Sequence, residues 1–270
     1  MQIIDFINGK GYRVINFPDG EAYLQLDPLN RKEDVIVKCR ITNATELFLL
    51  MQLSDILKRQ CMEVSILEIY YLMGMRCDRL FDINRPFTLS IVADVINSLK
   101  ATTVYIYEPH SARCLKMINH SFAPYLTSYI TSMLVVQNKD MLLVAPDKGS
   151  INRYGGRHFA VVCDKARNES TGELQGFRAT PKEDVAGRDL LVMDDLCDGG
   201  GTFIGLAPKL RELNPKSLSL LVTHAIQKQG IDKVAAVYDK MYITDTYKDW
   251  TKESLPANVT VFKIDELNAI

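Results

Sequence analysis

The sequence has few of the features that mark secreted, membrane-bound or nucleic-acid-binding proteins. Its six cysteines are scattered and form no C-x-x-C pair, which argues against a zinc site or a disulfide framework. Its 32 basic and 33 acidic residues give a formal net charge of −1, so a global electrostatic attraction to nucleic acid is not expected. Residues 1–5 carry neither the basic segment nor the long apolar stretch of a signal peptide. We therefore expect a cytoplasmic protein that has no nucleic-acid partner.

Long hydrophobic runs are absent as well. The charge-free stretch at residues 121–138 is interrupted by Ser, Thr, Pro and Asn, so it is not expected to span a membrane. The chain has 270 residues, of which 47% are hydrophobic, and this suffices for a sizeable core without disulfides or a structural metal. At about 150 residues per domain, this length favours two domains or one large one.

Short apolar runs alternate with helix-like segments along the chain. The runs lie at residues 35–37, 64–70, 104–107, 141–145, 159–162, 190–193 and 218–222. Strands that alternate with helices predict βαβ units and parallel sheets. The pattern pauses near residue 137 and starts again near residue 140. We therefore predict two α/β domains, residues 1–139 and 140–270.

The strongest cluster of polar residues follows the apolar run at residues 190–193. It contains Asp194 and Asp195, then a turn with three glycines, and then Thr202, which we expect to cap a helix that reaches residue 213. We expect Pro208 to kink this helix or to delay its start. Free backbone N–H groups in such a turn bind a phosphate monoester, and paired carboxylates accept hydrogen bonds from ribose hydroxyls. The alternative is a strand–turn–helix corner whose glycines serve only tight packing.

This cluster resembles the phosphoribosyl pyrophosphate (PRPP) loop that type I phosphoribosyltransferases share with PRPP synthetases, the ribose-phosphate diphosphokinases. Further segments resemble the synthetases in the same order along the chain. They are the nucleotide-binding loop at residues 17–21, the Arg-Gln-Asp-Lys segment at 76–79, the Asp-Leu-His segment at 108–111, the Pro-Asp-x-Gly-Gly segment at 145–149 and the catalytic flexible loop at 164–169. Residues 17–21 alone would be typical of a β-turn. Six segments in one order favour the synthetase family.

The resemblance implies a fold of two type I phosphoribosyltransferase-like domains, each a mainly parallel sheet flanked by helices. It implies transfer of the β,γ-diphosphoryl group of Mg-ATP to the C1 hydroxyl of ribose 5-phosphate, which gives PRPP and AMP for nucleotide or NAD synthesis. It also implies Mg²⁺ as cofactor, ATP as co-substrate and a homo-oligomer whose nucleotide site is shared between subunits.

The resemblance also assigns roles to individual residues. Catalytic roles fall on Lys165, Arg167 and His110. Nucleotide binding falls on Phe17, Asp19, Glu21, Arg76 and Asp78. Binding of the ribose phosphate falls on Asp194, Asp195, Asp198, Gly199, Gly200, Gly201 and Thr202. Placement of Mg²⁺ falls on His110 and Asp147.

Three departures from the family pattern, together with a chain shorter than most synthetases, indicate a divergent member, and a viral source is one interpretation of them. Cys77 replaces a glutamine, Ser150 replaces the second glycine after Asp147, and Gly199 stands where the family commonly has threonine. The open glycine turn leaves room for a ribose extended beyond its 5-phosphate, such as ADP-ribose, as an alternative acceptor.

Two other functions remain as alternatives. A nucleobase phosphoribosyltransferase would need only the second α/β unit, and it would leave the loop at residues 17–21 unexplained. A non-catalytic regulator of the same fold should have lost His110, Lys165 or Arg167, and all three are present.

Overall fold

A computed structural model of the protein describes residues 1–80, 82–167 and 174–267. The chain divides into two compact units, Met1–Pro124 and Tyr125–Ile270. This division falls between residues 124 and 125, whereas the sequence analysis places it between residues 139 and 140. The reason is that the helix Leu126–Gln137 belongs to the second unit, where the Thr127 hydroxyl lies 2.7 Å from the Thr223 hydroxyl. Among the described residues, no helix is both long enough and apolar enough to cross a membrane.

The first unit contains a parallel sheet and a separate hairpin. Its strands are β1 (Gln2–Asp5), β2 (Tyr12–Asn16), β3 (Ala22–Leu26), β4 (Val35–Ile41), β5 (Val64–Leu72), β6 (Thr103–Ile106) and β7 (Ser121–Phe122). Its helices are α1 (Ala44–Arg59), α2 (Thr88–Ser98) and α3 (Arg113–Met117). In the described residues the sheet has the order β1-β4-β5-β6-β7 with all neighbours parallel, and β2 pairs antiparallel with β3.

The second unit is built around a larger sheet. Its strands are β8 (Met141–Ala145), β9 (Val161–Arg167), β10 (Leu174–Pro181), β11 (Asp189–Cys197), β12 (Ser217–Ala225), β13 (Lys240–Thr244) and β14 (Val259–Phe262). Its helices are α4 (Leu126–Gln137), α5 (Lys148–Arg153), α6 (Gly201–Arg211) and α7 (Lys228–Ala235). In the described part of the chain the strand order is β10-β9-β8-β11-β12-β13-β14. Strands β9 and β10 pair antiparallel, and the other neighbouring strands pair parallel.

The apolar runs of the sequence become the central strands of both sheets. Val192 on β11 and Leu220 on β12 are fully buried and pair in parallel register. Strands that are covered on both faces need apolar residues at nearly every position, which is why these runs were detectable in the sequence. The predicted alternation of strands and helices is therefore confirmed.

Three local predictions near the glycine turn and the catalytic loop are wrong. The residue that caps α6 is Gly200, with φ of +79°, and Thr202 lies inside the first turn without capping it. Pro208 lies within α6 and does not delay the start of the helix, while the expected kink stays a prediction. Strand β9 extends through Arg167, so residues 164–167 of the expected loop belong to a strand. Asn168 and Glu169 of that expected loop lie outside the described residues.

Candidate active site

The polar segments of the second unit meet at one edge of its sheet. Strands β8, β9 and β11 run parallel, so their carboxyl ends lie at the same edge. Asp147 follows β8 closely, and Asp194 and Asp195 lie near the end of β11. Ligands of open α/β sheets bind beyond the carboxyl ends of the strands. This edge is therefore the candidate site of the second unit.

Asp194 and Asp195 are bridged by an arginine that the sequence analysis did not select. Nη1 of Arg153, the last residue of α5, lies 2.9 Å from Oδ1 of Asp194 and 2.9 Å from Oδ1 of Asp195. The Ser150 hydroxyl donates to the same oxygen of Asp194 at 3.0 Å. The backbone N–H of Asp195 also donates to this oxygen, at 2.9 Å. The two carboxylates are thus fixed by groups of α5 and of their own strand.

Burial and like charge act together on Asp194. Its pKa is raised well above the ordinary value, first by burial and then by the neighbouring carboxylate of Asp195, while the guanidinium of Arg153 acts in the opposite direction. Two adjacent buried carboxylates are costly unless a cation or a ligand stabilises them. Arg153 supplies such a cation, and carboxylate oxygens can accept hydrogen bonds from the hydroxyl groups of a ligand.

The glycine turn lies directly after this pair and leads into α6. Gly200 has a positive φ, which permits the tight turn, and the first N–H groups of α6 have no partners within the helix. Helix α6 spans 11 residues, so its N-terminus carries the partial positive charge of a helix dipole. The turn thus offers the backbone donors and the field that a phosphate needs.

Helix α7 packs tightly against the outside of this turn. A Cβ atom added to Gly230 would lie 2.0 Å from the backbone oxygen of Asp198, which is far inside contact distance. The Gln227 side chain, immediately before α7, donates to Oδ1 of Asp198 at 2.7 Å. The position of the turn is therefore set by α7 as well as by its own glycines.

Asp147 caps the N-terminus of α5. Its Oδ1 accepts a hydrogen bond from the backbone N–H of Ser150 at 3.0 Å, and the Ser150 hydroxyl oxygen lies 3.3 Å from the same atom. Mg²⁺ prefers oxygen ligands, and it usually binds one or two protein carboxylates together with substrate phosphates and water. No group of three or more metal-ligating side chains occurs in the described residues. A single carboxylate such as Asp147 fits this binding mode with few protein ligands. The imidazole of His110, by contrast, is a poor direct ligand for a hard cation such as Mg²⁺.

The antiparallel pair β9–β10 contains the predicted catalytic cations. In backbone register, Lys165 pairs with Phe177, and β9 extends past the end of its pairing with β8. Phe177 in turn packs on α6, because a Cβ atom added to Gly205 would lie 2.1 Å from Cε2 of its ring. The backbone of β9 is thus linked through β10 to the helix that begins at the glycine turn.

In the first unit, the segment at residues 76–79 meets the segment that contains His110. The Ser111 hydroxyl donates to Oδ2 of Asp78 at 2.7 Å, and Nε of Arg79 lies 3.3 Å from Oδ1. Burial alone would raise the pKa of Asp78, but the Ser111 hydrogen bond and Arg79 outweigh it and lower the pKa. The buried Asp78 carboxylate thus joins two of the predicted site segments, and His110 next to Ser111 is half-buried.

The segment at residues 17–21 is the turn of the β2–β3 hairpin. The backbone N–H of Gly20 donates to the oxygen of Phe17 at 2.9 Å, and Oδ1 of Asp19 accepts from the N–H of Glu21 at 3.1 Å. The Phe17 ring is 43% exposed and lies edge-on to Tyr23 at 5.9 Å. The β-turn is therefore present, and it exposes an aromatic ring at its tip.

Sequence analysis missed Arg153, Gln227 and Gly230. Arg153 is separated by 41 residues from Asp194, so no local spacing links them. The feature that could have indicated Arg153 is its position six residues after Asp147, at the end of the short helix that Asp147 caps. Gln227 and Gly230 carry no motif, and only the folded chain places them against Asp198.

Curated proteins with similar sequences share one name. Ribose-phosphate pyrophosphokinase 2 of Archaeoglobus fulgidus is 30% identical over 219 residues, which cover 78% of this chain and 74% of that protein. Ribose-phosphate pyrophosphokinase of Thermococcus kodakarensis is 26% identical over 244 residues, or 85% of this chain and 83% of that protein. The Campylobacter jejuni protein of the same name is 27% identical over 263 residues, which cover 93% of this chain and 83% of that protein.

Among solved structures, the crystal structure of phosphoribosylpyrophosphate synthetase from Mycobacterium smegmatis has the same fold. Its TM-score is 0.78 at 21% identity, over 96% of this chain and 87% of that chain. This confirms the predicted fold class of two mainly parallel α/β domains. No family model matches the chain. The identity to the Archaeoglobus protein, together with the share of both chains that it covers, shows that the chain belongs to the ribose-phosphate pyrophosphokinase family.

Proposed function

We propose that this enzyme transfers the β,γ-diphosphoryl group of Mg-ATP to the C1 hydroxyl of ribose 5-phosphate, giving PRPP and AMP. The observation that carries the proposal is the pair Asp194–Asp195, fixed by Arg153 and followed by a glycine turn at the start of α6. A ribose phosphate needs two hydroxyl acceptors beside a phosphate site, and this edge of the sheet supplies both kinds of group.

The acceptor is oriented by two groups of contacts. Asp194 and Asp195 accept hydrogen bonds from the ribose hydroxyls that do not react. Backbone donors of the turn, together with Thr202 in the first turn of α6, bind the 5-phosphate. The bound sugar then presents its C1 hydroxyl to the β-phosphorus of ATP, and such positioning supplies much of the rate enhancement of a phosphoryl transfer.

Lys165 and Arg167 act on the charge that develops during transfer. The C1 oxygen forms a bond to the β-phosphorus, the bond from that phosphorus to the oxygen bridging to the α-phosphorus breaks, and AMP leaves with the bridging oxygen. The C1 hydroxyl loses its proton in the same step, and this proton passes to solvent water. Cationic side chains stabilise charge on the bridging and β-phosphoryl oxygens in this transition state. Asp147 would hold Mg²⁺, which would neutralise phosphate charge.

The nucleotide is bound by the predicted residues of the first unit. Phe17 at the tip of the hairpin stacks on the adenine, and Asp19 and Glu21 bind the base or shape the turn. Arg76 contacts the nucleotide, and Asp78 supports that loop through its hydrogen bond with Ser111. His110 acts through the nucleotide or a water molecule, because imidazole suits Mg²⁺ poorly.

We expect AMP release when Mg-ATP is mixed with ribose 5-phosphate, and a product mass equal to that of PRPP. The relatives named ribose-phosphate pyrophosphokinase favour this acceptor over ADP-ribose, and their matches extend over both units rather than the second alone. The measurement is a panel of ribose phosphates, including ADP-ribose and a nucleobase plus PRPP control, followed by AMP assay and mass spectrometry. Efficient use of ADP-ribose with little use of ribose 5-phosphate would overturn the proposed acceptor.

We also expect a homo-oligomer whose nucleotide site includes the hairpin tip of a neighbouring subunit. Phe17, Tyr23, Phe48 and Met51 on the hairpin and α1 are each 43–49% exposed, which is unusual for large apolar side chains near one another. Light scattering at the assay concentration measures the assembly. A fully active monomer would refute this expectation, whereas loss of activity on dilution in step with dissociation would support it.

A further inference from the structure

Arg153 contacts both carboxylates of the candidate acceptor site with a single nitrogen. Its side chain is only 7% exposed, and Nη1 lies 2.9 Å from one oxygen of Asp194 and 2.9 Å from one oxygen of Asp195. The side chains of the two aspartates are 14% and 3% exposed. These are charge-assisted hydrogen bonds in a site largely shielded from water, where such bonds are strong and directional.

The contacts restrict how each carboxylate can rotate. Two carboxylates that follow one another on a strand repel each other, and each could lower this repulsion by turning away or by taking up a proton. A guanidinium that binds one oxygen of each carboxylate opposes both responses. The remaining oxygen of each group then keeps one orientation relative to the other.

We propose that Arg153 is a positioning residue that holds Asp194 and Asp195 in the one arrangement in which they bind the two non-reacting ribose hydroxyls together. This proposal rests on the proposed function, since it assigns Arg153 to the recognition of that acceptor. Stability alone is a weak reason for such a residue, because buried ion pairs often contribute little to the free energy of folding.

Ser150 adds a second link between α5 and the carboxylates of the site. Its fully buried hydroxyl lies 3.0 Å from Oδ1 of Asp194 and 3.3 Å from Oδ1 of Asp147. A hydroxyl has one proton, so it can donate to only one of these carboxylates at a time. The short helix α5 thus has the candidate metal carboxylate at its start, the linking hydroxyl in its first turn and the positioning guanidinium at its end.

The experiment compares ribose 5-phosphate with 2-deoxyribose 5-phosphate in the full-length enzyme. A site that binds both hydroxyls should prefer the ribose compound, because the deoxy compound leaves a buried carboxylate with an unmet hydrogen bond. We expect Arg153→Ala to lower the ratio of the two kcat/KM values at least about tenfold, and to raise KM for ribose 5-phosphate more than it lowers kcat. This ratio does not depend on the fraction of protein that is folded, so a purely structural role would leave it unchanged.

Two further variants complete the design. Arg157→Ala removes a nearby arginine that bonds to the Ser128 oxygen at 2.7 Å instead, so it should keep the wild-type ratio. Arg153→Lys keeps the charge but presents one ammonium group rather than a planar fork, so it should lower the ratio by a smaller factor.

Each outcome bears on the proposal. A wild-type ratio in folded Arg153→Ala would overturn it, and if that variant does not fold, a wild-type ratio in Arg153→Lys would overturn it instead. A wild-type enzyme that releases no AMP with ribose 5-phosphate would contradict the proposed function. That result is distinct from an active enzyme whose preference is insensitive to residue 153.

Discussion

Replacing Lys165 or Arg167 with alanine is expected to lower kcat at least about 100-fold and to change the affinity for ATP little. The physical reason is that the charge these cations stabilise appears chiefly in the transition state, on the bridging and β-phosphoryl oxygens. An interaction made only in the transition state lowers kcat and kcat/KM equally when it is removed. Initial rates of AMP formation give kcat, and calorimetry with ATP and Mg²⁺ gives the affinity.

The matched control for this prediction is Arg178→Ala. Arg178 lies on β10, pairs with Asp164 in backbone register and is exposed to solvent. The variant removes a cation from the same antiparallel pair without touching the predicted catalytic positions, so kcat should stay within about twofold of wild type, as for most exposed substitutions. A Lys165→Ala/Arg167→Ala double variant with nearly full activity would contradict the assignment of these cations.

The parts of the fold that the sequence predicted are those in which one residue pattern dominates the energetics. Residues 218–222 of strand β12 are all buried and are apolar except for Ser219, so this part of the strand is recognisable as an apolar run. The turn at residues 17–20 was also predictable, because Pro18 and Gly20 satisfy its local backbone geometry. In both cases the residues that determine the structure lie within a few positions of one another along the chain.

The parts that the sequence did not predict depend on contacts between distant segments. The start of α6 was misplaced because Gly200 caps the helix with a positive φ, at a point where an added Cβ atom would lie 2.5 Å from Cγ2 of Val234 on α7. The bridge from Arg153 to Asp194 spans 41 residues of chain. A charged residue at the end of a six-residue helix most often faces solvent, and nothing in the local sequence indicates that this one is buried.

The second large effect is expected at Gly230, in the first turn of α7. Helix propensity alone predicts that Gly230→Ala would stabilise the protein by roughly 1 kcal/mol. The structure predicts the opposite sign, because the new Cβ atom would lie 2.0 Å from the backbone oxygen of Asp198 and 3.2 Å from the backbone carbon of Gly199. Backbone atoms cannot move aside as the end of a side chain can, so either α7 or the glycine turn must shift.

We therefore expect Gly230→Ala to lower the free energy of unfolding by about 1–3 kcal/mol, as overpacking does in a dense interior. Displacement of the turn should also raise KM for ribose 5-phosphate at least about tenfold, because backbone donors that bind a phosphate tolerate little misplacement. Thermal unfolding measures the first effect, and initial rates at saturating ATP measure the second.

Gly155→Ala is the control for this prediction. It adds the same methyl group in the same unit, where the nearest atom is the oxygen of Asn152 at 3.9 Å, an ordinary contact distance. This variant should keep both the wild-type unfolding temperature and the wild-type KM. If Gly230→Ala is instead more stable than wild type and binds ribose 5-phosphate equally well, then α7 does not determine the position of the turn. A loss of stability without a change in KM would mean that α7 moves while the phosphate-binding donors stay in place.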